Sequence, residues 1–472
     1  MITRSRSLTK PLLMALLYLS FSSLSAAPEA SALSIEKERA MGQEFLAAIR
    51  KHFAFVDDDF AWGFINDLGQ YITRPIETKF FPFHFYIIKD SALNAFAGPG
   101  GHVFFFSGLI EEMDTVDELA CVMSHEIGHV AARHLLHRIE QAKKIGIASM
   151  AGMLAGILIG GPAAGAMVTG SMAAGVQAQL HFSRNDERQA DQLGFKYASS
   201  AGFDPRAMIT VLKKIQRGGW FGSNKVPPYL LTHPTGPERM ANIDSLLSQY
   251  KNIAPKDEAL RFRRLFPFLK AVIRAESLEP REAERLFSLD MAEKNLRGDR
   301  SLALPHFGLG LVYKRESELR LAIQHLKKAL ELEPDFVPIL TNLGETYEMN
   351  GQDRQAIRVL EMALRLDNKD KSTLFLLGSA YENLHQYRKA LGLFERLASF
   401  NPVKKEVYYH LGFSYGRVDR LGLAHYNLGV YFKKSGKKKK ARFHFRKAEE
   451  LSSYDPGLRK MIRRAMKDMD EH

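Results

Sequence analysis

The sequence predicts an α+β fold that is mostly helical with a small sheet, followed by an all-α solenoid of repeats. Three observations lead to this prediction. A pattern with a period of 34 residues fills much of the C-terminal part, two short apolar runs in the N-terminal part have the composition of strands, and helical patterns dominate elsewhere. At 472 residues the chain is long enough for two or three domains with their own cores.

The N-terminus has the pattern of an export signal. In residues 1–26 basic residues precede an apolar run, and small residues suited to cleavage follow it. The run is too short to span a bilayer comfortably. We therefore expect removal of this segment and export to the periplasm, and an uncleaved anchor is the alternative.

Cysteine content and charge limit the possible sites and partners. The lone cysteine, Cys121, excludes a disulfide framework and a thiolate zinc cluster, so a metal site must use His, Asp and Glu. The net charge is +13, and from Lys433 to the end fourteen Lys/Arg stand against six Asp/Glu, which gives +8. This basic end fits contact with an anionic membrane surface or an acidic partner, or it is simply a solvated helical face. Export makes nucleic acid an unsuitable partner.

Residues 27–255 contain no repeat and are predicted as the first domain. Residues 83–88 and 102–106 have the pattern of strands bounded by turn formers. We expect the second run to offer an edge to an extended substrate, with Val103 and Phe104 in contact with it. His102 is expected to be structural.

Residues 145–180 are rich in Gly and Ala and contain no charged residue. Two short helices packed against the first domain are one interpretation, and a membrane-inserted hairpin is the other. Each half is at or below the length that a transmembrane helix needs, and Gly and Ala insert less readily than Leu or Ile. Length and composition therefore favour the first interpretation.

A capping box at residues 115–118 predicts the start of a helix that carries His125-Glu126-x-x-His129. Histidines at i and i+4 lie on one helical face and can share a metal ion, with Glu126 beside them to hold a water. The alternative is an ordinary amphipathic helix with surface histidines, but this leaves a second motif unexplained.

The second motif supplies carboxylates at the spacing of one helical turn. A catalytic zinc site needs a third protein ligand and an open fourth position. Glu187 and Asp191, at i and i+4, share a helical face. Glu187 can bind the metal, while Asp191 can accept a hydrogen bond from a ligating imidazole and fix its tautomer.

These motifs resemble the zinc endopeptidases of the CAAX prenyl endopeptidase and HtpX type, which have a gluzincin-type domain. The resemblance rests on the helix motif above, on Ser183-Arg184-x-x-Glu187-x-x-Ala190-Asp191-x-x-Gly194, and on Asn94-Ala95-Phe96-Ala97 upstream. In this family a His-Pro segment with a downstream arginine occurs at the place of His233-Pro234 and Arg239. The resemblance therefore makes these residues candidates for contact with the substrate or transition state. His233 either stabilises the oxyanion or occupies the open metal position at rest, and a loop histidine without function is the alternative.

A repeat fills residues 301–452. Glycines recur every 34 residues, and a tyrosine follows each of them three positions later, at Gly310/Tyr313, Gly344/Tyr347, Gly378/Tyr381 and Gly412/Tyr415. This pattern is typical of tetratricopeptide repeats, whose stacked helix pairs leave a concave surface for partners. Gly429 restarts the pattern 17 residues after Gly412, so a unit has lost its second helix or packs irregularly. Residues 256–300 are expected to be a helical linker, and residues 453–472 a basic tail.

The resemblance implies metal-assisted peptide hydrolysis with one Zn²⁺ per chain, in which Glu126 moves a proton from water to the leaving amine. It implies an endopeptidase in outer-membrane protein quality control. The expected partners are unfolded or misassembled envelope proteins and the outer-membrane barrel assembly machinery. Two alternatives are a largely latent protease that acts as a chaperone or scaffold through its repeats, and a membrane-anchored protease.

Overall fold

The computed structural model describes residues 34–142, 183–221, 227–251, 254–297, 301–400 and 403–470. The predicted export signal and the Gly/Ala-rich segment 145–180 lie outside these ranges. Among the helices within them, none has the length and apolar character needed to cross a membrane.

The first domain contains a three-stranded sheet of β1 (His84–Ile88), β2 (Ala95–Ala97) and β3 (His102–Phe106). The strand order is β1-β3-β2, with β1 parallel and β2 antiparallel to β3. β1 and β3 correspond to the two predicted runs. β2 was not predicted, because three residues without a β-branched side chain give no strand pattern.

The expectation that residues 102–106 form an edge strand was wrong. β3 is the central strand and pairs on both sides, and Val103 and Phe104 are completely buried. They are therefore core residues with no surface to offer a substrate. The error follows from the unrecognised β2, which is an edge strand of the sheet and packs against a helix of the first domain.

Helices account for most of the first domain. In chain order they are α1 (Ile35–His52), α2 (Asp59–Ile72), α3 (Ser107–Glu112), α4 (Val116–Ala131), α5 (His134–Ala142), α6 (Arg184–Ser200), α7 (Ala207–Phe221), α8 (Pro228–Thr232) and α9 (Pro237–Ser248). α4 begins where the sequence predicts, and the Thr115 hydroxyl accepts a hydrogen bond from the Glu118 N–H at 3.3 Å. The Glu118 carboxylate accepts from the Asp114 N–H instead of returning to Thr115, so this cap is one-sided.

α4 and α6, the helices that carry the two motifs, pack with their backbones close together. A methyl group added at Gly194 of α6 would lie 3.0 Å from the His125 backbone nitrogen, and one added at Gly128 of α4 would lie 2.9 Å from the Ala190 carbonyl oxygen. Side chains at these positions would push the helices apart. The two glycines thus allow Glu187 to approach the histidines.

The predicted linker is helical but belongs to the core. It forms α10 (Asp257–Ser277) and α11 (Pro280–Leu296). Phe262, Phe266 and Leu269 of α10 are buried in one hydrophobic cluster that runs from the first domain into the first repeats. Without α10, both parts would expose apolar surface.

The repeats form a succession of antiparallel helices. These are α12 (Ala303–Arg315), α13 (Leu319–Leu332), α14 (Val337–Met349), α15 (Asp353–Leu366), α16 (Lys371–Asn383), α17 (Tyr387–Ala398), α18 (Lys405–Arg417), α19 (Leu421–Lys434), α20 (Lys438–Glu450) and α21 (Pro456–Asp470). In the first unit Gly310 faces Leu326 of the second helix, where a methyl group would lie 2.6 Å from that side chain. The fold class predicted from the sequence is confirmed.

The break in the repeat involves no missing helix. α19 acts both as the second helix of one unit and as the first helix of the next. Its Leu428 packs against Gly412 of α18, and its Gly429 receives Phe445 of α20. The pattern restarts after half a unit because one helix carries both sets of contact residues.

The predicted basic tail is in fact mostly helical. α21 packs on the preceding helices through the buried residues Leu458, Ile462 and Met469. Its apolar residues recur at helical spacing and cover the end of the solenoid. The high content of charged residues concealed this pattern in the sequence.

Candidate metal centre

Four buried side chains from three segments converge in the first domain. His125 and His129 come from α4, Glu187 from α6, and His233 directly follows α8. Each offers one ligand atom, and these atoms all lie within 4.8 Å of one another. The structure thus brings together the three residues predicted as metal ligands and the additional histidine.

The distances between the ligand atoms suit a single metal ion. His125 Nε2 lies 3.0 Å from His129 Nε2, and the Glu187 carboxylate lies 3.5 Å and 3.4 Å from these two nitrogens. Ligands bound tetrahedrally at zinc distances lie roughly 3.3 Å apart. Two imidazoles and one carboxylate are also a ligand set that zinc commonly takes, so these residues fit that ion.

Behind the ligands, Asp191 and Arg239 form an ionic network. Asp191 Oδ1 accepts a hydrogen bond from His125 Nδ1 at 2.9 Å, as the sequence predicts, which directs Nε2 towards the centre. Arg239 donates from Nε to Asp191 Oδ2 at 2.9 Å, and its Nη1 lies 2.7 Å from Glu187 Oε2. Arg239, a candidate for substrate contact, is buried against these two carboxylates.

This network sets the protonation of the ligands. Burial, together with the positive charge of Arg239, lowers the pKa of His125 to about 3 and keeps its imidazole neutral. Burial alone would raise the pKa of Glu187, but Arg239 and His233 outweigh it, and the pKa lies well below the ordinary value. A neutral imidazole and an anionic carboxylate are the forms that bind a metal ion.

Glu126 lies beside the cluster without joining it. Its carboxylate is completely buried, and within the described part of the chain neither oxygen has a hydrogen bond of good geometry. Burial raises its pKa to about 7, although the nearby His129 opposes the shift. His233 Nε2 is 3.5 Å from Glu126 Oε1. Buried polar atoms normally have a hydrogen-bond partner, so two orphaned oxygens beside the cluster fit a site that holds a bound group.

Two contact residues of the centre were not found from the sequence. His134 is buried, with its Nδ1 at 3.1 Å from Nδ1 of His129. The ring of Tyr229 stacks on His233 with 4.5 Å between centroids. The spacing of five residues between His129 and His134 was a signal for the first. For Tyr229 the sequence carried none.

His102 has the structural role that the sequence predicts. It lies outside the metal cluster, stacks on His84 with 5.2 Å between centroids, and is hydrogen-bonded through Nδ1 to the Tyr86 hydroxyl at 3.1 Å. Burial is the main cause that lowers its pKa to about 4.

Two parts of the chain match known families. Residues 64–247 match the profile of Peptidase family M48, and residues 315–379 and 423–455 match tetratricopeptide repeat profiles. The chain carries an M48 peptidase domain and C-terminal tetratricopeptide repeats. The second repeat match begins within α19, in agreement with the role of this helix as the start of a unit.

Relatives of the M48 domain occur in bacteria and mitochondria. The β-barrel assembly-enhancing proteases of Escherichia coli K12 and Yersinia pestis are each 34% identical, over 224 residues (47% of this chain, 46% of the relative) and 222 residues (46% of each). The mitochondrial metalloendopeptidase OMA1 of Arabidopsis thaliana is 33% identical over 153 residues, which are 32% of this chain and 29% of that protein. The matching region thus spans about half the length of the bacterial relatives. The match of residues 64–247 is to a peptidase family, and the His/Glu cluster within them is the candidate metal site.

Proposed function

We propose that this chain is a zinc-dependent endopeptidase of the bacterial envelope that holds one Zn²⁺ and degrades or processes misassembled proteins. The observation that carries the proposal is the convergence of His125, His129 and Glu187 around one point, with Glu126 beside them. The name of the bacterial relatives supports a periplasmic role in outer-membrane protein quality control.

In the proposed mechanism Glu126 moves the proton. Bound zinc would supply a Lewis acid that polarises the scissile carbonyl and acidifies a water. Glu126 accepts the proton of the attacking water and returns it to the leaving amine. Arg239 and Asp191 keep Glu187 and His125 oriented and in their metal-binding forms.

We further propose that the observed arrangement is a latent resting state closed by His233. Its Nδ1 lies 3.0 Å from Glu187 Oε1 and 3.4 Å from His125 Nε2, where a fourth ligand is expected. The side chain is completely buried under Tyr229. A water or a substrate carbonyl needs this position, so activity requires His233 to move. In the alternative role, His233 would stabilise the oxyanion from the position that it takes after this movement.

The same segment borders the edge strand of the sheet. The Tyr229 N–H donates a hydrogen bond at 3.3 Å to the Leu93 carbonyl, two residues before β2. The residues of β2, Ala95–Ala97, are buried in the resting state. Displacement of α8 would expose both the metal position and this edge. An extended substrate could then pair with β2 through main-chain hydrogen bonds, which demand little of its sequence.

We propose that the repeats bind a substrate or partner segment. A cavity of about 850 Å³ lies between α2, α10 and the repeats, with Trp62, Phe336, Phe375 and Phe400 among the residues that line it. Lys371 and Lys404 also border the cavity, with their ammonium groups 5.7 Å and 5.9 Å from the Trp62 ring. Aromatic rings beside charged groups suit an extended segment of an unfolded envelope protein or of the barrel assembly machinery. In the scaffold alternative, this surface acts without cleavage.

Contact with an anionic membrane surface is proposed for the end of the solenoid. On α20 and α21, exposed basic residues lie beside the exposed side chains of Phe443 and Met461. Basic residues interspersed with apolar ones favour the interface of an anionic bilayer.

A pair of substitutions tests the enzymatic proposal. We expect Glu126→Gln to keep near one zinc per chain, because Glu126 is not a ligand, and to lower the cleavage rate by at least about 100-fold. We expect Glu187→Ala to lose zinc and activity together. Metal analysis after desalting and cleavage of an unstructured protein such as casein provide the measurements.

Glu112→Gln, at an exposed position at the end of α3, is the matched control and should change neither quantity. Cleavage by Glu126→Gln at the wild-type rate would contradict the mechanism. A folded wild-type chain without zinc would favour the scaffold alternative.

His233→Ala distinguishes the two roles of this histidine. If His233 closes the centre, its removal should raise the cleavage of short peptides by about 10-fold, since the fraction of competent molecules increases. If it stabilises the oxyanion, kcat should fall by about 100-fold. His137→Ala, on the exposed side of α5, is the control. Unchanged cleavage of every substrate would rule out both roles.

A further inference from the structure

We propose that His134 is a positioning residue that fixes the tautomer of His129 for metal binding, and that Gln189 completes this relay. The inference rests on the proposed function, because it takes His129 as a ligand. It assigns a role to a buried histidine outside the ligand set. Two features of the structure support this role: the turn after α4 and the direction of each hydrogen bond.

A sharp turn brings His134 back to the helix that precedes it. α4 ends at Ala131, and Arg133 adopts a left-handed backbone conformation with φ of 54°. Such a conformation is uncommon for a residue with a side chain and requires support from its surroundings. The Arg133 guanidinium provides it by donating to Glu38 Oε2 of α1 at 2.7 Å. The turn places His134 at the start of α5, with 2% of its surface exposed.

The direction of the hydrogen bonds follows from the outer end of the relay. Gln189 presents its side-chain carbonyl oxygen to His134 Nε2 at 3.0 Å. This oxygen can only accept, so His134 Nε2 carries a proton. In neutral His134 the Nδ1 atom then has a lone pair and accepts a hydrogen bond from His129 Nδ1, which lies 3.1 Å away.

This direction leaves the other nitrogen of His129 unprotonated. His129 Nε2 faces the centre, 3.0 Å from His125 Nε2 and 3.4 Å from Glu187 Oε1. A lone pair at this atom is the form that binds a metal ion. The reverse direction would put a proton on the nitrogen that has to ligate.

Both ligand histidines are therefore oriented from α6. Asp191 acts directly on His125 at 2.9 Å, and Gln189 acts on His129 through His134. With Glu187, these residues stand at i, i+2 and i+4 of one helix, so α6 supplies a ligand and the partners of both imidazoles. His134 links the two residues: its Nε2 atom is hydrogen-bonded to Gln189, and its Nδ1 atom is hydrogen-bonded to His129.

The test is the zinc affinity of the full-length chain, measured by competition with a chromogenic chelator. We expect His134→Leu to weaken zinc binding about 10- to 100-fold, the usual effect of losing such a partner. We expect His134→Asn to retain affinity within about 3-fold, because its side-chain oxygen can accept at the position of Nδ1. His137→Leu, three residues further on and exposed, should bind as the wild type does.

Gln189 offers a second measurement at an exposed position, where substitution is tolerated by the fold. Gln189→Glu keeps an acceptor and should preserve the affinity, whereas Gln189→Leu should weaken it several-fold. If His134→Leu does not fold, the comparison of Gln189→Glu with Gln189→Leu tests the proposed role of the relay in zinc binding.

Wild-type affinity in both His134→Leu and Gln189→Leu would overturn the inference and leave the proposed function intact. Equal losses in folded His134→Asn and His134→Leu would also overturn it, because packing rather than an acceptor would then be responsible. A folded wild-type chain that binds no zinc would overturn the proposed function, and this inference with it.

Discussion

At the scale of single residues, the partner of each buried histidine decides what that histidine can do. His125 faces the Asp191 carboxylate and the cluster of ligand atoms, whereas His102 faces a tyrosine hydroxyl, another imidazole and aromatic rings. Both are almost fully buried. The first belongs to a centre that can bind a cation, while the second can only remain a neutral part of the core.

His102 should make the stability of the protein depend on pH. Its pKa is about 4 in the folded chain but near 6.5 in an unfolded one, so between these values the unfolded state binds more protons. Stability should therefore fall as the pH drops from 6.5 to 4, by about 3 kcal/mol from this residue. The measurement is urea denaturation of wild type and His102→Phe across this range.

We expect a shallower dependence on pH in His102→Phe, and His52→Phe, at an exposed position, controls for the loss of a histidine. Equal slopes for His102→Phe and wild type would show that other groups control the acid sensitivity.

Sequence reasoning identified residues whose spacing within one helix reveals their chemistry. His125 and His129, like Glu187 and Asp191, stand one helical turn apart, so local periodicity suffices. The contact between His129 and His134 depends on the backbone conformation of Arg133 and on its ion pair with α1, 95 residues earlier. The spacing of five residues between the two histidines is a local signal, but no local pattern fixes this backbone conformation or this ion pair.

At the scale of elements, the close approach of α4 and α6 determines the geometry of the centre. Two sequence features, a glycine in each motif, make this approach possible. The N-terminal end of α6 is also fixed by a complete capping box between Ser183 and Asp186, a local pattern that the prediction did not include. β2 and the double role of α19 were missed for a common reason: both are defined by their neighbours rather than by their own composition.

An identical substitution at two helical glycines tests this packing. In Gly194→Ala the new methyl group would lie 3.0 Å from the His125 backbone, so α6 must shift and Glu187 with it. We expect a loss of stability of about 1–3 kcal/mol and weaker zinc binding. Thermal unfolding and chelator competition measure both effects.

Gly63→Ala in α2 is the matched control, because no atom from outside this stretch of helix, among the residues that the structure describes, lies within 4 Å of the added group. It should stabilise the protein by about 0.5–1 kcal/mol, as alanine is the better helix former. Tight zinc binding by Gly194→Ala would show that α6 can adjust without moving Glu187.

At the scale of the whole molecule, the M48 domain and the repeats share one hydrophobic core. α10 joins them, and the ring of its Phe268 packs at a tilt of 37° against Phe336 of the second repeat, with 4.0 Å between ring centroids. An ion pair between Lys404 and Asp59 adds a polar contact between the repeats and α2. The sequence predicted both parts but not their common core, because the apolar residues of a linker helix do not reveal which part of the protein they pack against.

Truncation of Phe268 should therefore destabilise both parts at once. We expect Phe268→Ala to cost about 3–5 kcal/mol, and to raise hydrogen exchange in α4 as well as in α14. Mass spectrometry of peptides from the two helices provides the measurement. Phe443→Ala, with 55% of the side chain exposed in wild type, is the control. Faster exchange confined to the repeats would indicate two units that unfold separately.

Because the candidate metal centre is enclosed, the rate at which the protein opens can limit the turnover rate of the proposed enzyme. His233, Glu126 and the strand β2 are all buried, so in the proposed mechanism each turnover requires the segment around α8 to open first. When opening is slower than chemistry, cleavage rates become nearly independent of which peptide bond is cut. Selectivity then depends on how long a client remains unfolded beside the closed centre. Proteins that assemble promptly would leave before it opens, whereas stalled ones would still be present.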